Sequence, residues 1–521
     1  MTTSTLLATQ QRVAIPQSDG DHVVVPGGTL VKTGRLKDGR ASFARGTSYS
    51  EKDSFSINEN VREVTMFPAF WDAAALLPRN TKGLSEMGRP ALNPDYVLLF
   101  AVLLVALLGS QRSVATYLRD DLTWQHLRER LNANRPIGYD EAPVKAPNHN
   151  AVKHFLRRVN RDDGIDLDAI SQVVIAAATR QAKTMGLLDP SKSLTYRDPD
   201  GSQWVNYDGT VFPSPSRYLA GEVSESGQPR RAADGTGLQL KGGDKQVMGL
   251  KIMFGSVRTN DYAGRVIIDF AQVLSKTEQG IGDEAAYIVN SAKSLALTLP
   301  GMRGITVDSI ISGTHHTELA RHGIYAISHT TAKSNPNRVA GGRFADGRQE
   351  KTIQVEVFHH TTANGRDCKH HIHSVGGDLK QQKFDANGAQ VLTPVETVSF
   401  EQIANSDGTY RTYLRLRIDC RHGDLSVRLA FMHTPRSGTQ FNRGEYLRFY
   451  QPSSDAFSYL YGRRNDTESL HNEIKQRIKR MPSYNKRTQL LLVIGIVVAQ
   501  NAKTQAFERR RAEDRIPALA S

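Results

Sequence analysis

Apolar residues recur at helical spacing from about residue 61 to 185. The segments FPAFWDAAALL, the apolar run after LNPDY, SVATYLRDDLTWQHLRERL, and NAVKHFLRRVNR after APNH each predict a helix. Asn148 or Asn150 is placed to cap the last of these. After the turn-rich stretch LDPSKSLTYRDPDGS the period changes. SQWVNYDGTVF, VMGLKIMFGSV and GRVIIDFAQVL predict three strands, and GDEAAYIVNSAKSLALTL a helix. GITVDSI is a short buried strand, THHTELARHG a helix and IYAISH a further strand. That order predicts an α/β sheet of mixed direction. From 351 to about 433 the alternation is period two, in KTIQVEVFHH, CKHHIHSV, VETVSFEQI, YRTYLRLRIDC and LSVRLAFMH. An all-β insertion therefore interrupts the α/β region before it resumes in helices.

The first helix after the insertion includes YGRRNDTESLHNEIKQ, residues 461–476. At about 100° per residue, Tyr461, Arg464, Glu468 and Lys475 share one narrow stripe. Leu460, Leu470, Ile474 and Ile478 form an adjoining apolar stripe. Alone, this describes a solvated face with helix-stabilising pairs worth a few tenths of a kcal/mol each (roughly 0.2–0.5).

Composition adds a partner class. The 521 residues hold 67 Lys and Arg against 53 acids, a net +14, with 39% apolar residues. Such a basic globular chain suggests a polyanion, nucleic acid first and anionic membrane second. Two cysteines exclude a disulfide-rich secreted scaffold. VLLFAVLLVALL and LLLVIGIVVA are shorter than the about 20 residues of a span and predict buried helices. The N-terminus lacks signal-peptide patterning, so an intracellular protein without a membrane is expected.

Candidate chemistry rests on carboxylates. Asp208 is read at the end of the first strand, Asp308 at the end of the fourth, and Glu468 on the helix after the insertion. Three such acids can hold two divalent metals about 3.5–4 Å apart, and oxygen ligands suit Mg²⁺ or Mn²⁺. An Asp at a strand end is by itself more often a turn former. Together, however, the element order and the three acids resemble the ribonuclease H-like core of DDE transposases. The helix matches the signature of their insertion-sequence-four group, Tyr-x₂-Arg-x₃-Glu-x₆-Lys, at Tyr461, Arg464, Glu468 and Lys475. That group also carries a β-rich insertion before the Glu. The resemblance covers about 200–500.

It implies that Asp208, Asp308 and Glu468 bind two Mg²⁺ (or Mn²⁺) ions and are catalytic. Arg464 and Lys475 would contact phosphates near the cleaved end, and Tyr461 would pack there. It further implies DNA cleavage and strand transfer, a homodimer on DNA, and a nucleoid-associated prokaryotic protein. Lys153, Arg157 and Arg158 project close together from the helix after APNH. They read as a DNA contact or as ordinary solvated charges, and both readings stand. The expected layout is a loosely ordered arm (1–60), an α-helical domain (61–187), a catalytic α/β domain (200–345 with 434–500), the insertion (346–433) and a basic tail (501–521). A nuclease of the same core without strand transfer, and a non-catalytic DNA-binding derivative, are the competing functions.

Other signals weigh less. Cys368 with His370, and Cys420 with His422, are two C-x-H pairs within the insertion. They make a Cys₂His₂ zinc set conceivable, and ordinary strand residues are the preferred reading. Glu445 is a rival acid without the stripe, and His315 and His316 are expected on a helix surface.

Overall fold

The computed structural model describes three N-terminal strands (13–17, 20–25 and 29–32) and residues 56–79, 92–161, 165–219, 221–234, 237–241, 245–260, 263–273, 284–330, 352–362, 365–432 and 442–515. Strands β1 (Val13–Gln17), β2 (Gly20–Val25) and β3 (Thr29–Lys32) form an antiparallel sheet in the arm. The apolar run HVVVP reads as one short strand, and it falls within and just after β2. The stretch HTTAKSNPNRVAGGRFADGRQE, 329 to about 350, reads from its composition as a mobile loop, and from 331 onward it lies outside the described residues.

The helical region comprises α1 (Ile57–Met66), α2 (Pro68–Ala75), α3 (Asp95–Leu103), α4 (Val105–Leu108), α5 (Gln111–Leu118), α6 (Asp121–Ala133), α7 (His149–Arg161) and α8 (Leu167–Thr184). Ser56 and Glu59 close a capping box on α1, and Asn148 accepts the Ala151 N–H (2.9 Å) at the start of α7. Every residue of α3 is buried, as its unbroken apolar run requires.

The central sheet begins with β4 (Trp204–Pro213), β5 (Gly237–Lys241), β6 (Lys245–Arg258) and β7 (Arg265–Val273). It continues through α9 (Glu284–Thr298), β8 (Gly304–Thr306), α10 (Gly313–Arg321) and β9 (Tyr325–Ile327). β4 and β7 are both antiparallel to β6; on the other side of β4, β8 and then β9 run parallel to it. β5 takes the opposite end of the β6 edge from β7. The expected mixed α/β architecture is present, with helices α9 and α10 making the two crossovers.

Beyond it lie seven strands where the sequence indicated five. β10 (Thr352–Thr361), β11 (Asp367–Val375), β12 (Asp378–Phe384) and β13 (Gln390–Pro394) form one antiparallel sheet. β14 (Glu396–Ala404), β15 (Tyr410–Ile418) and β16 (Leu425–Ala430) form another. Both sheets share one core with the edge of the central sheet: Ile372, Leu379, Leu414 and Leu416 cluster with Tyr325, Ile327 and Phe449. The chain ends in α11 (Asp455–Gly462), α12 (Asn465–Arg477) and α13 (Lys486–Arg515).

NKRTQLLLVIGIVVAQNAKTQAFERRR reads as one closing helix with a basic end, and α13 runs thirty residues, through that basic end to Arg515. By length and composition it is apolar enough to cross a membrane, which its ten-residue apolar run alone did not suggest. The most apolar stretch of this helix is 83% buried, packed against the helical region and β7. Asn501 on α13 accepts the Ile267 N–H and donates to the Ile267 carbonyl, both at 2.8 Å. Those bonds satisfy the backbone of β7 where its register slips beside β6. Arg509 and Arg510 pair with Glu63 and Glu59 of α1 instead of facing solvent alone.

Candidate active site

Adjacent parallel strands set the level of the two aspartates. β4 and β8 pair Trp204 with Gly304 and Asn206 with Thr306. Asp208 and Asp308 each lie two positions further on, so the register brings them out at one level. Asp208 keeps the parity of Asn206 within β4, whereas Asp308 lies two residues past the end of β8 rather than at it; Asn206 and Thr306 hydrogen-bond each other below them. Gly304 is required at this close approach, since a Cβ there would stand 2.0 Å from the Trp204 ring. Asp208 is within β4 rather than at its end, opposite Phe254 of β6; only the β8 side of the ladder has stopped by then.

α12 lies over this face. The sequence stripe implied one continuous helix, whereas α11 and α12 are separate and meet at Arg463–Arg464. At that junction the backbone bonds tighten, Arg464 N–H to Tyr461 O (3.0 Å) and Thr467 N–H to Arg464 O (3.0 Å). Arg463 turns inward, donating to the carbonyls of Arg258 (2.6 Å) and Thr259 (3.0 Å). Asp466 is buried beside it in an ion pair with Arg258. These anchors point Arg464 the other way, into the site. The apolar stripe is as expected: Leu460, Leu470, Ile474 and Ile478 are all buried.

Arg464 is the centre of the cluster. Its guanidinium reaches Asp308 at 3.5 Å and Glu468 at 3.3 Å. It is 17% exposed, while Asp308 and Glu468 are open at 59% and 55%. Asp208 sits deeper, at 19%, and its Oδ2 meets Thr467 Oγ1 (3.4 Å) and His471 Nδ1 (3.5 Å). Burial raises the Asp208 pKa; Arg464 and the Gly209 N–H oppose that, and Glu468 and Asp308 add to it. Burial works against the Arg464 charge, but Asp308, Asp208, Tyr461 and Glu468 together hold its pKa above the ordinary value. The three carboxylates therefore share one electrostatic site.

The remaining stripe residues border it. Tyr461 stacks on Phe457 (5.4 Å between rings) with the Arg464 guanidinium 6.0 Å from its own ring centre. Lys475 is half-buried and close enough to depress His471. Burial, then Lys475, Arg265 and Arg464, push the His471 pKa down to about 3, so this imidazole is neutral. Sequence reasoning missed Thr467 and His471. On the wheel Thr467 falls within the apolar stripe and His471 between it and the polar one, and only the sheet beneath shows that they face Asp208.

Elsewhere the residues divide. Lys153 and Arg157 are exposed on α7, but Arg158 makes a two-pronged ion pair with fully buried Asp95 (2.7 and 2.8 Å). That pairing ties α7 to α3, so Arg158 has a structural role the sequence did not suggest. Glu445 accepts the Gly313 N–H (2.7 Å) at the start of α10, which accounts for the rival acid. His316 is buried against Ser328 (3.0 Å), not on the surface. In the insertion, His360 replaces His422 in the Cys/His set: His360, Cys368, His370 and Cys420 converge within 4.8 Å. The His422 ring instead accepts from Arg421 outside the cluster.

Comparison with protein-family models, curated proteins and solved structures gives no match in any of the three.

Proposed function

We propose that the chain is a DNA transposase with a ribonuclease H-like catalytic domain, cutting at element ends and joining the freed 3′-hydroxyls to target DNA. The observation that carries this reading is that Asp208 in β4 and Asp308, just past the end of the parallel neighbour β8, lie at matching positions, with Glu468 across Arg464 from them. The outer end of parallel strands is where α/β sheets favour ligand sites. The residues fit divalent cations: three hard oxygen donors face one internal cation, and the inner carboxylate is raised by burial and by its like-charged neighbours. Two Mg²⁺ ions bound there would activate a water or 3′-hydroxyl and stabilise the leaving oxygen.

The chain's own groups have separable tasks. The Gly209 N–H donates to Asp208 Oδ1, and Thr467 and neutral His471 meet its Oδ2, so both oxygens of the inner carboxylate are fixed in orientation. Arg464 neutralises the acids without metal and offers a bidentate fork to phosphate when they are neutralised otherwise. Lys475 supplies a point charge one face away, and Tyr461 a ring at the rim. The net charge of +14 and the exposed Lys153 and Arg157 suit a DNA partner, gripped by a homodimer.

The test uses the purified chain, the DNA flanking its own gene and Mg²⁺ or Mn²⁺, beside Glu468→Gln. Metal-dependent cutting and joining by the wild type alone is the expected result. Cutting without joining would make it a nuclease, and DNA binding with no cutting by either protein would make it a non-catalytic DNA binder.

A further inference from the structure

We propose that His360, Cys368, His370 and Cys420 hold one zinc ion that staples the two sheets of the insertion together. Strand register builds three quarters of the site. β10 and β11 pair His360 with Cys368, and His370 follows Cys368 by two positions, on the same face. Cys420 comes from the other sheet, two residues beyond β15. The four donor atoms lie within 4.8 Å of one another, with Cys420 Sγ 3.8 Å from His360 Nε2. Metal–ligand bonds of about 2.0–2.3 Å in a tetrahedron give ligand–ligand edges of roughly 3.3–3.8 Å. The cluster is therefore close to the size of a single ion's shell. A two-iron cluster would set its thiolates and imidazoles further apart.

Polar bookkeeping points the same way. His370 is buried, and its Nε2 has no hydrogen-bond partner. The imidazoles of His360 and His370 lie nearly parallel, 5.3 Å apart. A buried ring nitrogen left unpaired is destabilising, and coordination removes that cost. The Gln381 amide stands 3.0 Å from His370 Nδ1. The same amide nitrogen donates to the Asp419 carbonyl (2.9 Å), which holds it against the ring nitrogen that faces away from the cluster. The His422 backbone N–H donates to Cys420 Sγ (3.5 Å), the kind of amide contact that orients a metal-bound sulfur. Two thiolates and two neutral imidazoles around Zn²⁺ sum to zero charge, as a buried site requires. Soft sulfur and nitrogen donors select zinc over the Mg²⁺ that the acids would take.

The experiment measures zinc in the full chain purified under reducing, chelator-free conditions with zinc in the medium. Cys420→Ser, His360→Ala and His422→Ala are measured beside it. About one zinc per wild-type chain, retained by His422→Ala and lost from the other two, is expected. Cobalt substitution of the wild type should give a tetrahedral thiolate–cobalt spectrum, independent of how the variants fold. Zinc-free wild type with two freely titrating thiols, or with a Cys368–Cys420 disulfide, would overturn the proposal. Retention in His360→Ala with loss in His422→Ala would overturn this ligand set.

Discussion

The two polar clusters of this molecule are built from opposite materials. Around Arg464, three acids from two strands and a helix sit at an open surface, and two of them are more than half exposed. In the insertion, four neutral-capable sulfur and nitrogen donors close on one another with three of the four residues buried. An open oxygen cluster leaves room for exchangeable ions and a substrate, whereas a closed Cys/His set has no vacant face and serves structure. The acid cluster already contains a cation, Arg464, and the Cys/His cluster contains none of the chain's own.

Their separation is testable by breaking one at a time. The largest expected effect is on turnover: Glu468→Gln should lower metal-dependent cutting by about 10³-fold or more, several kcal/mol of barrier. Its zinc content should not change, which quantitation on the same sample checks. Next comes the anchor beneath α12. Asp466→Asn leaves Arg258 buried without its counter-charge and should cost about 3–5 kcal/mol, read by denaturant unfolding. Arg464→Lys keeps the charge but removes the fork, so cutting should fall about 10–100-fold, equivalent to roughly 1.5–3 kcal/mol. The fold and the zinc should survive that change, as thermal unfolding and metal analysis would report.

The smallest effect is a pH slope. Burial, then Arg448 and His315, hold the His316 pKa well below its ordinary value. Its folded pKa is thus lower than its unfolded one, so no penalty exists above about pH 6.5 and stability is lost as pH falls below that. His316→Gln should flatten this acid slope by at most about 1.4 kcal/mol per pH unit, measured by urea unfolding across pH.

Much of the acid cluster was legible because its members lie at spacings a single chain displays. Four stripe residues recur on one helix path, and each Asp follows a short apolar run. What the sequence hid was register. The common level of Asp208 and Asp308 depends on which strands are parallel neighbours, and the tight junction at Arg463–Arg464 depends on buried partners at Arg258 and Thr259. For the same reason spacing could not single out His360 among the neighbouring histidines His359, His371 and His373, which add possible ligands without fixing geometry. Two C-x-H pairs suggest His422 by symmetry, but the β10–β11 ladder puts His360 directly across from Cys368 and turns His422 outward. β12 and β13 were missed because DLKQQKF and QVLTP carry too few apolar residues to alternate visibly.

The most direct measurement of the central claim is Mn²⁺ binding by electron paramagnetic resonance, with duplex DNA bound. Wild type would be compared with the combined Asp208→Asn, Asp308→Asn and Glu468→Gln protein. Tight Mn²⁺ uptake by the wild type, competed by Mg²⁺ and absent from the variant, is the result predicted. Equal uptake by both would contradict the assignment of these three carboxylates as the metal site.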